Sequence, residues 1–210
     1  MFMIVPALIG IALAILLGGS LQHLAKLPIR GAWAILLSFA IQAAMYTPVL
    51  QDSAVEHQAG QAIYVGAFVL VTFGVLRNRH LGPGARIVFL GLALNGVAIV
   101  ANGGRMPVDA AALRATAGAA QVHALATHEP QYYNRELATG SSRLLVLSDE
   151  IQVPFPIGHG YVCSIGDLLI CTGAAALAYK GTRQPWQRPM LVDGCAATLP
   201  GGELTLASTL

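Results

Sequence analysis

The sequence predicts an all-α membrane protein, a five-span transmembrane helical bundle with a long outer loop between spans four and five. Three observations predict it. Only 10% of the 210 residues are charged and 55% are hydrophobic, whereas soluble domains carry about 25% charged residues. The apolar residues fall into five runs close to the roughly 20 residues that a bilayer core of about 30 Å demands. Basic residues gather in alternate connecting segments. The same figures exclude other classes. Three cysteines are too few, and odd in number, for a disulfide scaffold. A formal net charge of +2 leaves no basic footprint for nucleic acid. One integral membrane domain, residues 1–180, is expected at this length.

The first span is Phe2–Ser20, closed by Gly18-Gly19-Ser20. These small residues resemble a signal-peptide cleavage site. Against cleavage, no cation precedes the apolar run, and Lys26 and Arg30 follow it. The second span, Gly31–Leu50, holds no charge. The third is Gly60–Leu76 and the fourth Arg86–Asn102. The fifth, Tyr161–Lys180, carries a single acid, Asp167. Residues 181–210, rich in Gly, Pro, Thr and Ser, read as a disordered cytoplasmic tail.

Lys and Arg bias in short loops sets orientation. Lys26 and Arg30 follow span one, Arg77, Arg79 and Arg86 follow span three, and Lys180, Arg183 and Arg188 follow span five. The segment after span two has Asp52 and Glu56 and no Lys or Arg. This alternation places the N-terminus outside and the C-terminus in the cytoplasm of a bacterial plasma membrane. The loop 102–160 then lies outside. Within it, Ala110–Ala126 is expected to be helical and His128–Gly140 turn-rich. Leu144, Leu145, Val146, Leu147 and Ile151 are too apolar for a free loop, so this piece lies on the bilayer surface or packs on the bundle. Pro154 and Pro156 force an extended exit.

Polar residues inside apolar spans face the bundle interior, because unpaired polar groups in hydrocarbon are costly. Ser38, Gln42 and Tyr46 share one face of span two, and Gly91, Asn95 and Asn102 fall close to one stripe of span four. Interhelical hydrogen bonding and a polar pocket between these two spans are both open. At the outer boundary, Asn102-Gly103-Gly104-Arg105-Met106-Pro107 reads as a helix C-cap. It also reads as a ligand site, in which Gly103 and Gly104 let backbone amides approach and Arg105 meets a headgroup or carboxylate. Ser164-Ile165-Gly166-Asp167 has capping-box spacing, with an acid in the positive first turn of a helix. Asp149 sits in Leu147-Ser148-Asp149-Glu150-Ile151. His123, His128 and His159 show no metal-ligand spacing, and no metal or cofactor is expected. Cys163 and Cys171, about 12 Å apart by helical rise, are too distant to bridge.

The ordered motifs Asn102-Gly103-Gly104-Arg105-Met106-Pro107, Leu147-Ser148-Asp149 and Ser164-Ile165-Gly166-Asp167 resemble a bacterial multi-pass membrane family of unknown function. That resemblance covers most of the chain to about Lys180 and implies a membrane address without an activity. A more local resemblance, to lipoprotein signal peptidases, implies chemistry. In that family two Asp residues form a catalytic dyad, the second in an Asn-x-Ala-Asp-x-x-Ile-x-x-Gly motif. Asp167, Ile170 and Gly173 fit that motif, with Ser164 in place of its Asn and Gly166 in place of its Ala. Asp149 stands eighteen residues before Asp167, and Glu150 replaces the Phe that follows the family's first Asp.

Three readings compete. The leading one is a non-catalytic component that binds membrane lipids or serves other membrane subunits, with Asn102, Gly103, Gly104, Arg105 and Ser164 forming a polar outer site. The second is an aspartyl hydrolase using Asp149 and Asp167, because two carboxylates sharing a site divide into acid and base. The third is a proton-coupled transporter with Asp167 as the protonatable group.

Overall fold

The computed structural model describes residues 4–45, 47, 50, 53–129, 132, 134–153 and 160–183, and the fold is mostly helical. The long helices are α1 (Ile4–Leu16), α3 (Ala32–Met45), α4 (Ala54–Arg77), α5 (Pro83–Ala101) and α8 (Ile165–Arg183), with a short α2 (Leu21–Ala25) after α1. Two of them, α4 over Gln58–Arg77 and α5 over Pro83–Ala101, are long and apolar enough to cross a membrane. Ala32–Met45 is apolar and shorter. Helix α8 falls outside that class because it carries Asp167, Lys180 and Arg183. It is wedged between α1 and α5, so much of its surface meets protein.

Several expected boundaries move. Helix α4 begins at Ala54 rather than Gly60, and α5 begins at Pro83 rather than Arg86, since Pro is preorganised for a helix's first position. The fifth run does not start as helix. Tyr161–Cys163 is a strand, and α8 begins after it, at Ile165, where Ser164 supplies the cap. The all-α expectation is corrected by four short strands among the described residues: β1 (Met106–Val108), β2 (Arg135–Leu137), β3 (Ile151–Val153) and β4 (Tyr161–Cys163). Their three-residue lengths leave little periodicity to read. Pro154, Pro156, His159 and residues 184–210 lie outside the described residues.

The helices pack in the order α3–α4–α5–α8–α1. The α5–α8 contact is antiparallel and depends on glycine. A Cβ at Gly91 would lie 2.4 Å from the Gly166 carbonyl oxygen, and one at Gly173 would lie 2.7 Å from that of Gly84. Small residues let helix backbones touch in this way. Gly10 of α1 meets the Ala175 backbone of α8 as closely, at 2.5 Å. The polar faces of α3 and α5 do not converge on one pocket. Ser38 Oγ donates to the Ala67 carbonyl of α4 at 2.8 Å, and Gln42 Nε2 donates to Ser38 Oγ at 3.2 Å. Asn95 instead faces α8. Tyr46 lies outside the described residues.

The two ends of the bundle differ. At one, which we call the basic pole, Asn78 holds the backbone of Arg30, and Lys180 Nζ donates to the Leu81 carbonyl at 3.3 Å. There Ser20 N–H donates to the Thr182 carbonyl at 2.7 Å. At the other end, the segment expected as an outer loop folds into a cap. Its helices α6 (Ala110–Ala117) and α7 (Ala119–Ala126) are split at Gly118, whose φ of +90° suits glycine. β1 and β2 pair in parallel, and β3 and β4 antiparallel. Val108, Leu113, Val122, Leu125 and Val162 form the cap's own core. Met106 and Leu147 tie it to Ala98 and Ile99 of α5 and to Tyr64 and Phe68 of α4.

Candidate functional site

The predicted site residues all lie at the cap pole, distributed over three small arrangements. The first closes the start of α8. Ser164 Oγ accepts from Asp167 N–H at 3.0 Å, and Ser164 N–H donates to Asp167 Oδ2 at 3.3 Å. This is the reciprocal capping box that the Ser-x-x-Asp spacing predicts. Asn95 of α5 completes it, accepting from Ser164 Oγ at 2.8 Å and donating through Nδ2 to Asp167 Oδ1 at 2.8 Å. Ser164 is fully buried. Such a network must be satisfied throughout, because a lone polar group there would cost more than its pairing returns. Glycine makes room for it: a Cβ on Gly166 would fall 1.9 Å from Asn95 Oδ1.

The second arrangement centres on Asp149, which is 2% exposed. Its N–H donates to the Pro107 carbonyl and its carbonyl accepts from Asp109 N–H, both at 2.9 Å, so its backbone extends the β1 edge beside Val108. Its Oδ2 lies 3.0 Å from Arg135 of β2. Burial pushes the Asp149 carboxyl up to about 7. Arg135 pulls against that shift, and the Asp167 charge adds to it. Burial wins because the guanidinium is 38% exposed and its field is screened by solvent. Burial, followed by the charges of Asp167 and Asp149, pushes the nearby Cys163 thiol up to about 11, which keeps it protonated and unreactive.

The third arrangement is the end of α5. Gly104 N–H donates to the Ile99 carbonyl at 2.8 Å and Gly103 N–H to that of Val100 at 3.4 Å, the paired bonds of a Schellman cap. Gly103 and Gly104 have φ of +68° and +95°, so they take the left-handed conformation, while Asn102 at φ −113° does not. Gln61 of α4 donates to the Gly103 carbonyl. Asn102 Nδ2 donates to the carbonyls of Ala98 (2.8 Å) and Arg143 (2.9 Å), and Asn102 Oδ1 accepts from Arg143 N–H at 2.8 Å. Arg105 is half-buried and makes no side-chain hydrogen bond or ion pair among the described residues. Beside this cap opens a groove of about 670 Å³, lined by Asn102, His128, Glu136, Thr139, Ser142 and Arg143 among others.

Ser164 and Asp167 are thus brought together, and Asp149 pairs with Arg135 within reach of the Asp167 charge. No hydrogen bond joins the two carboxyls among the described residues. Asn95, Arg135, Glu136 and Arg143 were not singled out as site residues by sequence. Asn95 had a signal, since it follows Gly91 by one helical turn, but its partner lies 72 residues away.

Fold and site together define a helical bundle with a structured cap over one end. The chain belongs to the family of unknown function DUF5317, which it matches over residues 26–179. It is also 26% identical over 166 residues to an uncharacterized protein of Thermotoga maritima, covering 79% of this chain and 83% of that relative. No solved structure matches.

Proposed function

We propose that this chain is a non-catalytic, lipid-binding component of the bacterial plasma membrane. It crosses the bilayer five times through α1, α3, α4, α5 and α8, with its basic pole in the cytoplasm and its cap outside. The observation that carries this reading is the reversal of polarity between surface and interior. Val100 is 75% exposed and Leu36 67% exposed, with Leu13, Leu16, Phe39, Val69, Phe73, Leu90 and Val97 also turned outward. Ser38, Asn95 and Ser164 are buried. A water-soluble protein rarely shows a contiguous apolar surface beyond a few hundred Å², whereas hydrocarbon asks for this pattern. Lys26, Arg30, Arg77, Arg79 and Lys180 belong to segments at one end, as the positive-inside rule requires of cytoplasmic loops. Leu144, Leu145 and Val146 are exposed at the cap pole, where they would meet the outer leaflet.

The aspartyl hydrolase reading is not favoured. Asp167 is engaged in the capping box and by Asn95, and Asp149 is closed off behind Arg135. The test is alkaline carbonate extraction of membranes from cells expressing the full chain, with outer-leaflet lipid retained on the purified protein as the second readout. The reading expects the chain to stay in the membrane pellet and to carry phospholipid through purification. Release into the supernatant would contradict it.

A further inference from the structure

We propose that the groove beside Asn102 takes the headgroup of a zwitterionic phospholipid that carries a primary ammonium, a phosphoethanolamine lipid. This rests on the membrane reading above and names what its outer face binds. Depth comes first. Part of the groove wall is Ala101 and Asn102, the end of a 19-residue helix that rises about 28 Å, close to the thickness of a hydrocarbon core. The groove therefore opens at headgroup level.

Charge comes second. Glu136 and Arg143 both line the groove, Glu136 is half-buried, and neither forms an ion pair among the described residues. One carboxylate and one guanidinium suit a ligand bearing one cationic and one anionic group, and Arg is the side chain best shaped for phosphate. Thr139 and Ser142 add hydroxyls that accept from an ammonium. Among the described residues lining the groove none is Phe, Tyr or Trp, the side chains that cage quaternary ammonium. The Glu136 carboxylate and these hydroxyl acceptors select a primary ammonium, which donates hydrogen bonds, over choline, which has no N–H to donate.

The groove also borders an apolar surface. Directly after Arg143 the chain presents Leu144, Leu145 and Val146, the last 69% exposed. Leu144 takes the left-handed conformation at φ +55°, uncommon for a residue of this bulk. Asn102 holds this turn by the Arg143 backbone, so the apolar shelf for acyl chains and the polar groove are fixed side by side.

The experiment uses the purified full chain in detergent and four probes: dihexanoyl phosphatidylethanolamine, phosphatidylglycerol and phosphatidylcholine, and free phosphoethanolamine. Binding is read by native mass spectrometry. The phosphatidylethanolamine should bind about fivefold tighter than either other lipid, the size of one partly exposed charge pair. Glu136→Gln should erase that preference, and Arg143→Gln should weaken all three lipids alike. Equal binding of phosphatidylethanolamine and phosphatidylglycerol by the wild type, or a preference that survives Glu136→Gln, overturns the assignment. Free phosphoethanolamine binding as tightly as the lipid overturns the lipid source. Thermal unfolding of both variants separates lost binding from lost fold. A chain that resists carbonate extraction yet shows no preference fails only here, while one that carbonate releases fails at the membrane reading.

Discussion

Asn78 at the basic pole and Asn102 at the cap pole make the same grip. Each sits at the C-terminal end of a long helix, and each donates through Nδ2 to the carbonyl four residues back, Gly74 or Ala98. Each also clasps both backbone groups of one arginine, Arg30 or Arg143. A carboxamide can do this because it presents donor and acceptor together, as a neighbouring strand would. The difference lies in the surroundings. Asn78 is 5% exposed and ties two turns of the bundle to each other. Asn102 is half-buried and holds a turn whose side chains point outward. The same bond set is structural insulation at one end and a mount for an exposed shelf at the other.

At the α5–α8 seam backbone meets backbone across glycine, so forcing the seam apart should have the largest effect. Gly166→Ala places a methyl against Asn95 Oδ1 and within 2.7 Å of the Gly91 carbonyl, where backbone cannot give way. A loss of about 3 kcal/mol, at the upper end of ordinary overpacking, is expected in detergent unfolding. Asn78→Ala comes next. It removes a buried bond to the Gly74 carbonyl and two part-buried bonds to the Arg30 backbone, and about 2 kcal/mol is expected for the lost partners.

A pH series separates the poles without truncation. Asp149 rises from an ordinary 3.8 to about 7 in the folded cap, so the folded state binds its proton more tightly than the unfolded one. Its contribution to stability is complete below about pH 3.8 and falls as pH climbs through about 7. The cap should melt at lower temperature at pH 8 than at pH 5, and Asp149→Asn should flatten that difference. Cap-specific hydrogen exchange measures this. The smallest effect is expected from Asn102→Ala, about 1 kcal/mol, because water can replace much of what it supplies. Its signature is local: faster exchange of the Arg143 amide with the rest of the bundle unchanged.

The helices were legible because long apolar runs leave little else to form. The capping box was legible too, since Ser164 and Asp167 are three residues apart and their bond is local. The cap was only half legible. Ala110–Ala126 read as helix, but β1 to β4 are three residues each and pair across the chain, as Met106 does with Arg135. The Arg135–Asp149 pair and the Asn95 bond to Asp167 share that property, for no spacing rule connects residues brought together only by tertiary folding. Asp149 and Asp167 looked like partners through their spacing. Their charges do act on each other, while the groups they bond across the fold, Arg135 and Asn95, are ones the spacing does not contain.

The central claim is that the basic pole and the cap lie on opposite sides of a membrane. Its most direct test is site-directed labelling in intact cells with a membrane-impermeant maleimide, in a chain whose own three cysteines are replaced. Gly140→Cys probes the cap at a position with no atom within 4 Å of its Cβ, and His80→Cys probes the exposed turn at the basic pole. Labelling of Gly140→Cys in intact cells, with His80→Cys labelled only after permeabilisation, is the predicted result. Equal accessibility of the two sites before permeabilisation, or the reverse order, would contradict it.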